Sequence, residues 1–216
     1  MLLVSLLCMT LVRDCSQRKE HMGDPSLSTR SVRAFANLHQ TGHHWNSRET
    51  WFVDHIPDDS RVVDLGAGAM HLNVSLNIAR RGIHYVPVDA HDRGVAAMRV
   101  CMLNKWEYPI SLSPQPTVIV MQGVLEYITD KAHLLAAFRC AYPSATILLS
   151  YSVGRTVQNL WVAQLTLKQL QEVFTTLRLD VTNHTTSCLN GQDCFKLTPR
   201  VLNRSGSHPF CSGFLW

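Results

Sequence analysis

The chain lacks a strong charge of either sign: Lys and Arg number 20 against 16 Asp and Glu, a formal net charge of +4 over 216 residues. Spread along the chain, that balance argues against a dedicated nucleic-acid surface, which needs a concentrated basic face. CxxC pairs are also missing. The seven cysteines (Cys8, Cys15, Cys101, Cys140, Cys188, Cys194 and Cys211) are odd in number and irregularly spaced. They suggest neither a disulfide scaffold nor a zinc cage, so reduced thiols and a cytoplasmic location are expected, although Cys188 and Cys194 are close enough in sequence to bridge in an oxidising compartment. No membrane span is expected. The apolar lead Met1 to Val12 stops at Arg13-Asp14, well short of the ~20 residues a spanning helix needs. It has the look of a signal h-region but carries no basic residue before it and no small-x-small site, so a packing or vestigial extension is preferred to a targeting role.

Hydrophobic residues make up 46% of the chain and charged residues 17%, which excludes wholesale disorder and fibrous repeats. Residues 1–27 read as an apolar extension followed by a polar linker carrying Gly23, Asp24 and Pro25. Residues 28–199 read as one domain and 200–216 as a tail with Pro, Gly and Ser. Within the domain, helical spacing at Ser28–Gln40 and Ser47–His55 precedes the apolar strand Arg61-Val-Val-Asp-Leu65. A helix on Leu72, Leu76 and Ile78 follows, then a strand at Ile83–Val88. The alternation continues with strands at Thr117–Met121 and Ala145–Tyr151. Helices are expected from an Asp130 cap to Arg139 and from Thr166 to Thr175. Two last strands, Arg178–Thr182 and Cys194–Leu197, flank a polar turn without a helix between them. The order predicts a doubly wound, mainly parallel α/β sheet closed by an antiparallel hairpin.

The chemistry concentrates in Asp64-Leu-Gly66-Ala67-Gly68-Ala-Met70, where a strand runs through a glycine turn into a helix. Glycine permits a sharp bend and a close ligand approach, and the helix start offers free N–H donors. The pattern is short of a dinucleotide fingerprint, since His71 stands where a third glycine would fall, and an ordinary strand-to-helix turn would look the same. Asp89 adds context. It ends the second strand about 25 residues after Asp64, the place from which a carboxylate accepts hydrogen bonds from both ribose hydroxyls. His39, His43 and His44 are not read as a metal site, because Gly42 interrupts the helix that would align them and no carboxylate motif follows.

Taken together these segments resemble the class I S-adenosylmethionine-dependent methyltransferases. The likeness rests on Val62-Val-Asp-Leu-Gly-Ala-Gly68, Tyr85-Val-Pro-Val-Asp89, Val118-Ile-Val-Met-Gln-Gly-Val-Leu-Glu-Tyr-Ile128, Thr146-Ile-Leu-Leu-Ser150 and Gln192-Asp-Cys-Phe-Lys-Leu197, spanning roughly residues 30–199. It implies a Rossmann-like seven-stranded sheet with a reversed last strand. It also implies S-adenosyl-L-methionine as cofactor, with contacts at Asp64, Gly66, Ala67, Gly68, Asp89 and Gln122, and Met102 packed on adenine. Two departures stand out: Val100 to Asn104 holds no carboxylate for the adenine amino group, and Pro116-Thr117 replaces an Asp before the fourth strand. The resemblance implies methyl transfer, and a small-molecule or sugar-like acceptor is expected because no large insertion or basic groove is evident. Glu126 and Tyr127, just past the fourth strand, are the candidate catalytic residues, although Glu126 also fits a packing acid. A non-catalytic binding module built on a degenerate form of the same fold is the alternative.

Overall fold

The computed structural model describes residues 10–16, 46–68, 70–91, 98–153, 162, 164–189, 192–200, 211 and 214–215. Among these, the strands are β1 (Thr10–Leu11), β2 (Arg13–Asp14), β3 (Arg61–Leu65), β4 (His84–Asp89), β5 (Arg99–Val100), β6 (Glu107–Tyr108), β7 (Val118–Gln122), β8 (Thr146–Tyr151), β9 (Leu179–Leu189), β10 (Gln192–Pro199) and β11 (Phe214–Leu215). The α-helices are α1 (Asn46–His55), α2 (His71–Ala79), α3 (Lys131–Ala141) and α4 (Leu167–Thr176). The expected helix at Ser28–Gln40 and the three histidines at 39, 43 and 44 lie outside the described residues.

Seven strands form one sheet in the order β5-β4-β3-β7-β8-β10-β9. Strands β3, β4, β5, β7 and β8 are mutually parallel, and β10 runs antiparallel to both β8 and β9. This is the expected Rossmann-like arrangement, with the reversed last strand inserted between β8 and the edge strand β9. Alternate residues of the apolar strands face opposite sides, so both faces need cover. Val62, Val118, Val120 and Leu148 pack with Phe52 of α1, with Ile56 just beyond its end, and with Leu72 and Leu76 of α2. Val63, Leu65, Ile119, Met121 and Leu149 pack with Leu134, Leu135 and Phe138 of α3 and Leu170 and Phe174 of α4. The caps legible in the sequence are made: Asp130 accepts from the His133 amide at 2.9 Å, and Thr166 with Gln169 forms a capping box.

Two expectations fail at the chain ends. Residues 13–16 do not behave as a linker. Strand β1 pairs with β11 and β2 with β6, and Val12, Cys15 and Ser16 are buried. Nor are the thiols reduced. Disulfides join Cys15 to Cys101, Cys140 to Cys211 and Cys188 to Cys194, with Cα atoms 5.7, 5.5 and 5.8 Å apart. The first two close 86 and 71 residues of sequence, a separation no local spacing rule can register. They fasten part of the N-terminal extension to the segment after β5, and part of the tail to α3. Among the described residues, no helix is long and apolar enough to cross a membrane.

Candidate functional site

The parallel strands β3, β4 and β7 deliver their carboxyl ends side by side, and the turns that leave them carry the polar residues. After Leu65 the chain bends at Gly66, with φ at +72°, and again at Gly68, with φ at +53°. A Cβ on Gly66 would lie 2.5 Å from Cγ2 of Val124, in the turn after β7, so glycine is needed for space as well as for backbone conformation. The amides of Gly66 and Ala67 both donate to the Val88 carbonyl, at 2.8 and 3.0 Å, which pins the turn to β4. Met70, at φ +57°, then caps α2 without a side-chain hydrogen bond. The first N–H donors of that helix therefore have no side-chain acceptor at the cap.

Asp89 ends β4 next to this turn. Its Oδ2 accepts from the Gly68 amide at 2.9 Å, and its Oδ1 accepts from the His91 amide at 3.0 Å. The residue is 9% exposed. It is thus a buried brace for the glycine turn and not a solvated strand-end acid. Asp89→Ala should consequently lower the ligand-free melting midpoint by several degrees, and, if the site takes the S-adenosylmethionine that the sequence resemblance implies, weaken its binding by about 1.5–3 kcal/mol. Titration calorimetry and a thermal melt on the same preparation read the two effects. Unchanged values in both would place the ribose partner elsewhere.

Asp64 lies beneath the turn, 3% exposed, and accepts a short hydrogen bond from the Tyr85 hydroxyl. Burial raises its pKa to about 7; the Tyr85 hydrogen bond opposes the shift, and the charges of Asp89 and Glu49 add to it. Glu49, itself buried, is bonded by the Ser75 hydroxyl at 3.1 Å. Two neighbouring carboxylates thus bear on Asp64 below the glycine turn. A carboxyl whose folded pKa lies above its unfolded value of 3.8 stabilises the fold fully below about pH 4 and loses that contribution as pH rises through about 7. Between pH 5 and 8 the ligand-free parent should therefore lose more stability than Asp64→Asn. Parallel melts across that range check this, and equal slopes would show that Asp64 ionises normally. Sequence reading missed Tyr85 as its partner; the available clue was a tyrosine on the neighbouring strand two residues ahead of the Asp64 register position, Pro87.

The turn after β7 is tied to its neighbours by a chain of hydrogen bonds. The Gly123 amide donates to Ser150 Oγ at 2.9 Å, Ser150 donates to Gln192 Oε1 at 3.2 Å, and Gln192 Nε2 donates to Glu126 Oε1 at 2.9 Å. The Ser152 amide donates to the same Glu126 oxygen at 2.9 Å. Glu126 is 1% exposed, so its carboxylate belongs to the interior junction of β7, β8 and β10. Tyr127 is half-buried, and its carbonyl accepts from Asn104 at 2.9 Å. Gln122 is half-buried at the end of β7. Met102 follows the disulfide-bonded Cys101, and its amide donates to Glu107 Oε2 at 3.2 Å. Glu107 and the Ser150–Gln192–Glu126 chain went unnoticed in the sequence. Tyr151 is a core residue, as its apolar strand implied, with its hydroxyl accepting from the Leu165 amide at 2.7 Å. The structure therefore gathers Asp64, Gly66, Ala67, Gly68 and Asp89 around one turn and sets Gln122 at the end of the adjacent strand, with Glu126 and Tyr127 just past it. Among the described residues, no group of three or more His, Cys, Asp or Glu side chains is placed to hold a metal ion.

No family model matches the chain, and no curated protein matches it in sequence. Solved structures do match in fold. A chain from the complex of the Haloferax volcanii Trm112 methyltransferase activator with a methyltransferase superposes with a TM-score of 0.58 at 12% identity, covering 79% of this chain and 96% of that one. The TehB-like S-adenosylmethionine-dependent methyltransferase of Corynebacterium glutamicum gives 0.58 at 16% identity, covering 82% and 100%. The magnesium protoporphyrin IX methyltransferase of Synechocystis, solved with bound S-adenosylmethionine, gives 0.51 at 13% identity, covering 83% and 86%. Identities this low carry the fold alone.

Proposed function

Because the chain has the class I S-adenosylmethionine-dependent methyltransferase fold, we propose that it binds S-adenosyl-L-methionine at the glycine turn and transfers its methyl group to a small-molecule acceptor. The observation that carries this reading is the bracing of the Gly66–Gly68 turn against the buried Asp89, which sets a carboxylate beside a glycine-bounded backbone turn at one strand end. The residues suit the group. Asp64, Asp89 and Glu49 make the floor of the turn electronegative, which favours a cationic sulfonium and ammonium and opposes the pyrophosphate of a nicotinamide dinucleotide. When bound, the cofactor supplies an electrophilic methyl group for in-line attack.

In this reading Gly66, Ala67 and Gly68 let the backbone approach the ligand. Asp64 faces its ammonium end, Asp89 accepts hydrogen bonds from the ribose hydroxyls, and Gln122 and Met102 border the nucleoside. Tyr127 faces the acceptor, and Glu126 holds that side of the cleft in position through Ser152 and Gln192. The acceptor is taken to be small because the described residues form one domain without a large insertion. The disulfides favour an oxidising compartment over the cytoplasmic location expected from cysteine spacing.

Titration calorimetry with S-adenosylmethionine, S-adenosylhomocysteine and NAD tests the proposal. Binding of the first two and not the third is expected, followed by transfer of a labelled methyl group to one member of a small-molecule panel. Binding of NAD alone, or of none, would overturn it. Cofactor binding with no transfer to any acceptor would leave a binding module.

A further inference from the structure

Beneath the sheet's carboxyl edge, a cavity of about 180 Å³ opens at the starts of β3 and β4, and Arg99 lines it from β5, where its backbone is level with Val88. Its wall carries Arg61, His84 and Arg99 together with Ser16 and Ser113, over a floor that includes Val63 and Val86. No carboxylate lines it, and no ion pair joins Arg61 or Arg99 to an acid among the described residues. Arg61 is fixed in place, with Nε donating to the Gln115 carbonyl at 2.6 Å. Arg99 differs: its Nε is buried and has no hydrogen-bond partner. A guanidinium N–H removed from water and left unpaired is costly, and native proteins satisfy nearly all such groups.

We propose that this cavity is a binding site for a small oxyanion of the phosphate or sulfate type, held between Arg99 and Arg61. Two guanidinium groups, from β3 and from β5 on either side of β4, offer the forked donors that match a tetrahedral oxyanion, and Ser113 adds a hydroxyl donor. The cavity is small against the ~300–1,000 Å³ of pockets that enclose drug-sized ligands, so its occupant is the anionic group itself, free or at the end of a larger molecule. Arg61 and His84, at the strand starts, stand roughly 13 Å along β3 from the glycine turn, and none of the turn residues lines the cavity, so it is a second site and not part of the first. An anion there would neutralise the two like charges that line the cavity, and it would supply the acceptor that Arg99 Nε lacks.

The test uses the full-length protein and inorganic phosphate. Thermal melts at fixed ionic strength, balanced with chloride, should show a midpoint that rises with phosphate concentration. The apparent affinity should drop about 10-fold or more in Arg99→Gln and in Arg61→Gln, because each loses hydrogen bonds to a charged ligand. Phosphate-31 line broadening on the unaltered protein provides the same reading without a variant, should either substitution prevent folding. Repeating the titration with glycerol phosphate distinguishes sources: equal affinity means the anionic group alone is read, and tighter binding means a phosphomonoester is the natural occupant. No phosphate-dependent shift or broadening above the chloride control, or equal affinity in parent and both folded variants, would overturn the proposal.

Discussion

Reducing the folded protein should lower its stability by more than any single side-chain replacement in its core or its candidate site. In the chain-entropy account, a cross-link over 86 residues and one over 71 residues each restrict the unfolded chain by about 4–5 kcal/mol. The two loops do not overlap in sequence, so their effects add to first order. Their sum is comparable with the whole ~5–15 kcal/mol that keeps an ordinary domain folded. The Cys188–Cys194 bridge adds little, because its 6-residue separation lies within a hairpin already closed by β9 and β10 pairing. Treatment with a thiol reductant should therefore move the melting midpoint down by tens of degrees or leave no folded baseline at 37 °C. In the untreated protein, alkylation under native conditions followed by mass measurement should label Cys8 at most. Labelling of all seven cysteines, or a midpoint indifferent to reductant, would show that the bridges do not form. Paired Cys15→Ser and Cys101→Ser replacements isolate the N-terminal fastening, which also buries Val12 and Ser16.

That fastening marks the limit of what the sequence discloses. Strand β3 is legible to the residue, because an apolar β-branched run lies between Asp58-Asp59 and Gly66, and its neighbours β4, β7 and β8 are legible within a residue or so for the same reason. Strand β9 extends to Leu189, past the expected end at Thr182. Its continuation Asn183–Ser187 is polar and largely exposed, held by backbone pairing with β10 and not by an apolar face. Strand β5 has two residues, too few for any periodicity. Strands β1, β2, β6 and β11 exist only through pairing between segments about 90 or more positions apart. The glycine turn and Asp89 could be read because both lie on one local strand–turn–helix–strand unit. The environment of Glu126 could not, because its partners Ser152 and Gln192 come from 26 and 66 positions downstream.

Those distant partners set the expectation for Glu126. We propose that it positions the acceptor side of the cleft and does not itself take a proton. Its carboxylate oxygen already accepts from the Ser152 amide and from Gln192, and its backbone carbonyl accepts from the Val162 amide at 2.9 Å. The buried ammonium of Lys131, bonded to the Ile128 and Val162 carbonyls at 2.7 and 2.9 Å, completes the junction. Burial lowers the Lys131 pKa, and the charge of Glu126, with that of Asp130, pulls it back up. Glu126→Ala would leave a buried amide without its acceptor and a buried cation without one of its two counter-charges. A loss of about 1–3 kcal/mol of unfolding free energy in denaturant melts is expected, the scale for leaving a buried donor without its partner. Glu126→Gln keeps the carbonyl acceptor and should recover much of that stability. Its turnover should change far less than the ~10²–10⁴-fold that removal of a general base costs, with no limb lost from the pH–rate profile. Cofactor affinity should stay near the parent value in Glu126→Gln, since Asp89 and the glycine turn are untouched. The opposite pattern, full stability in Glu126→Ala with turnover down ~10²-fold or more and an altered pH profile, would make Glu126 the proton acceptor after all.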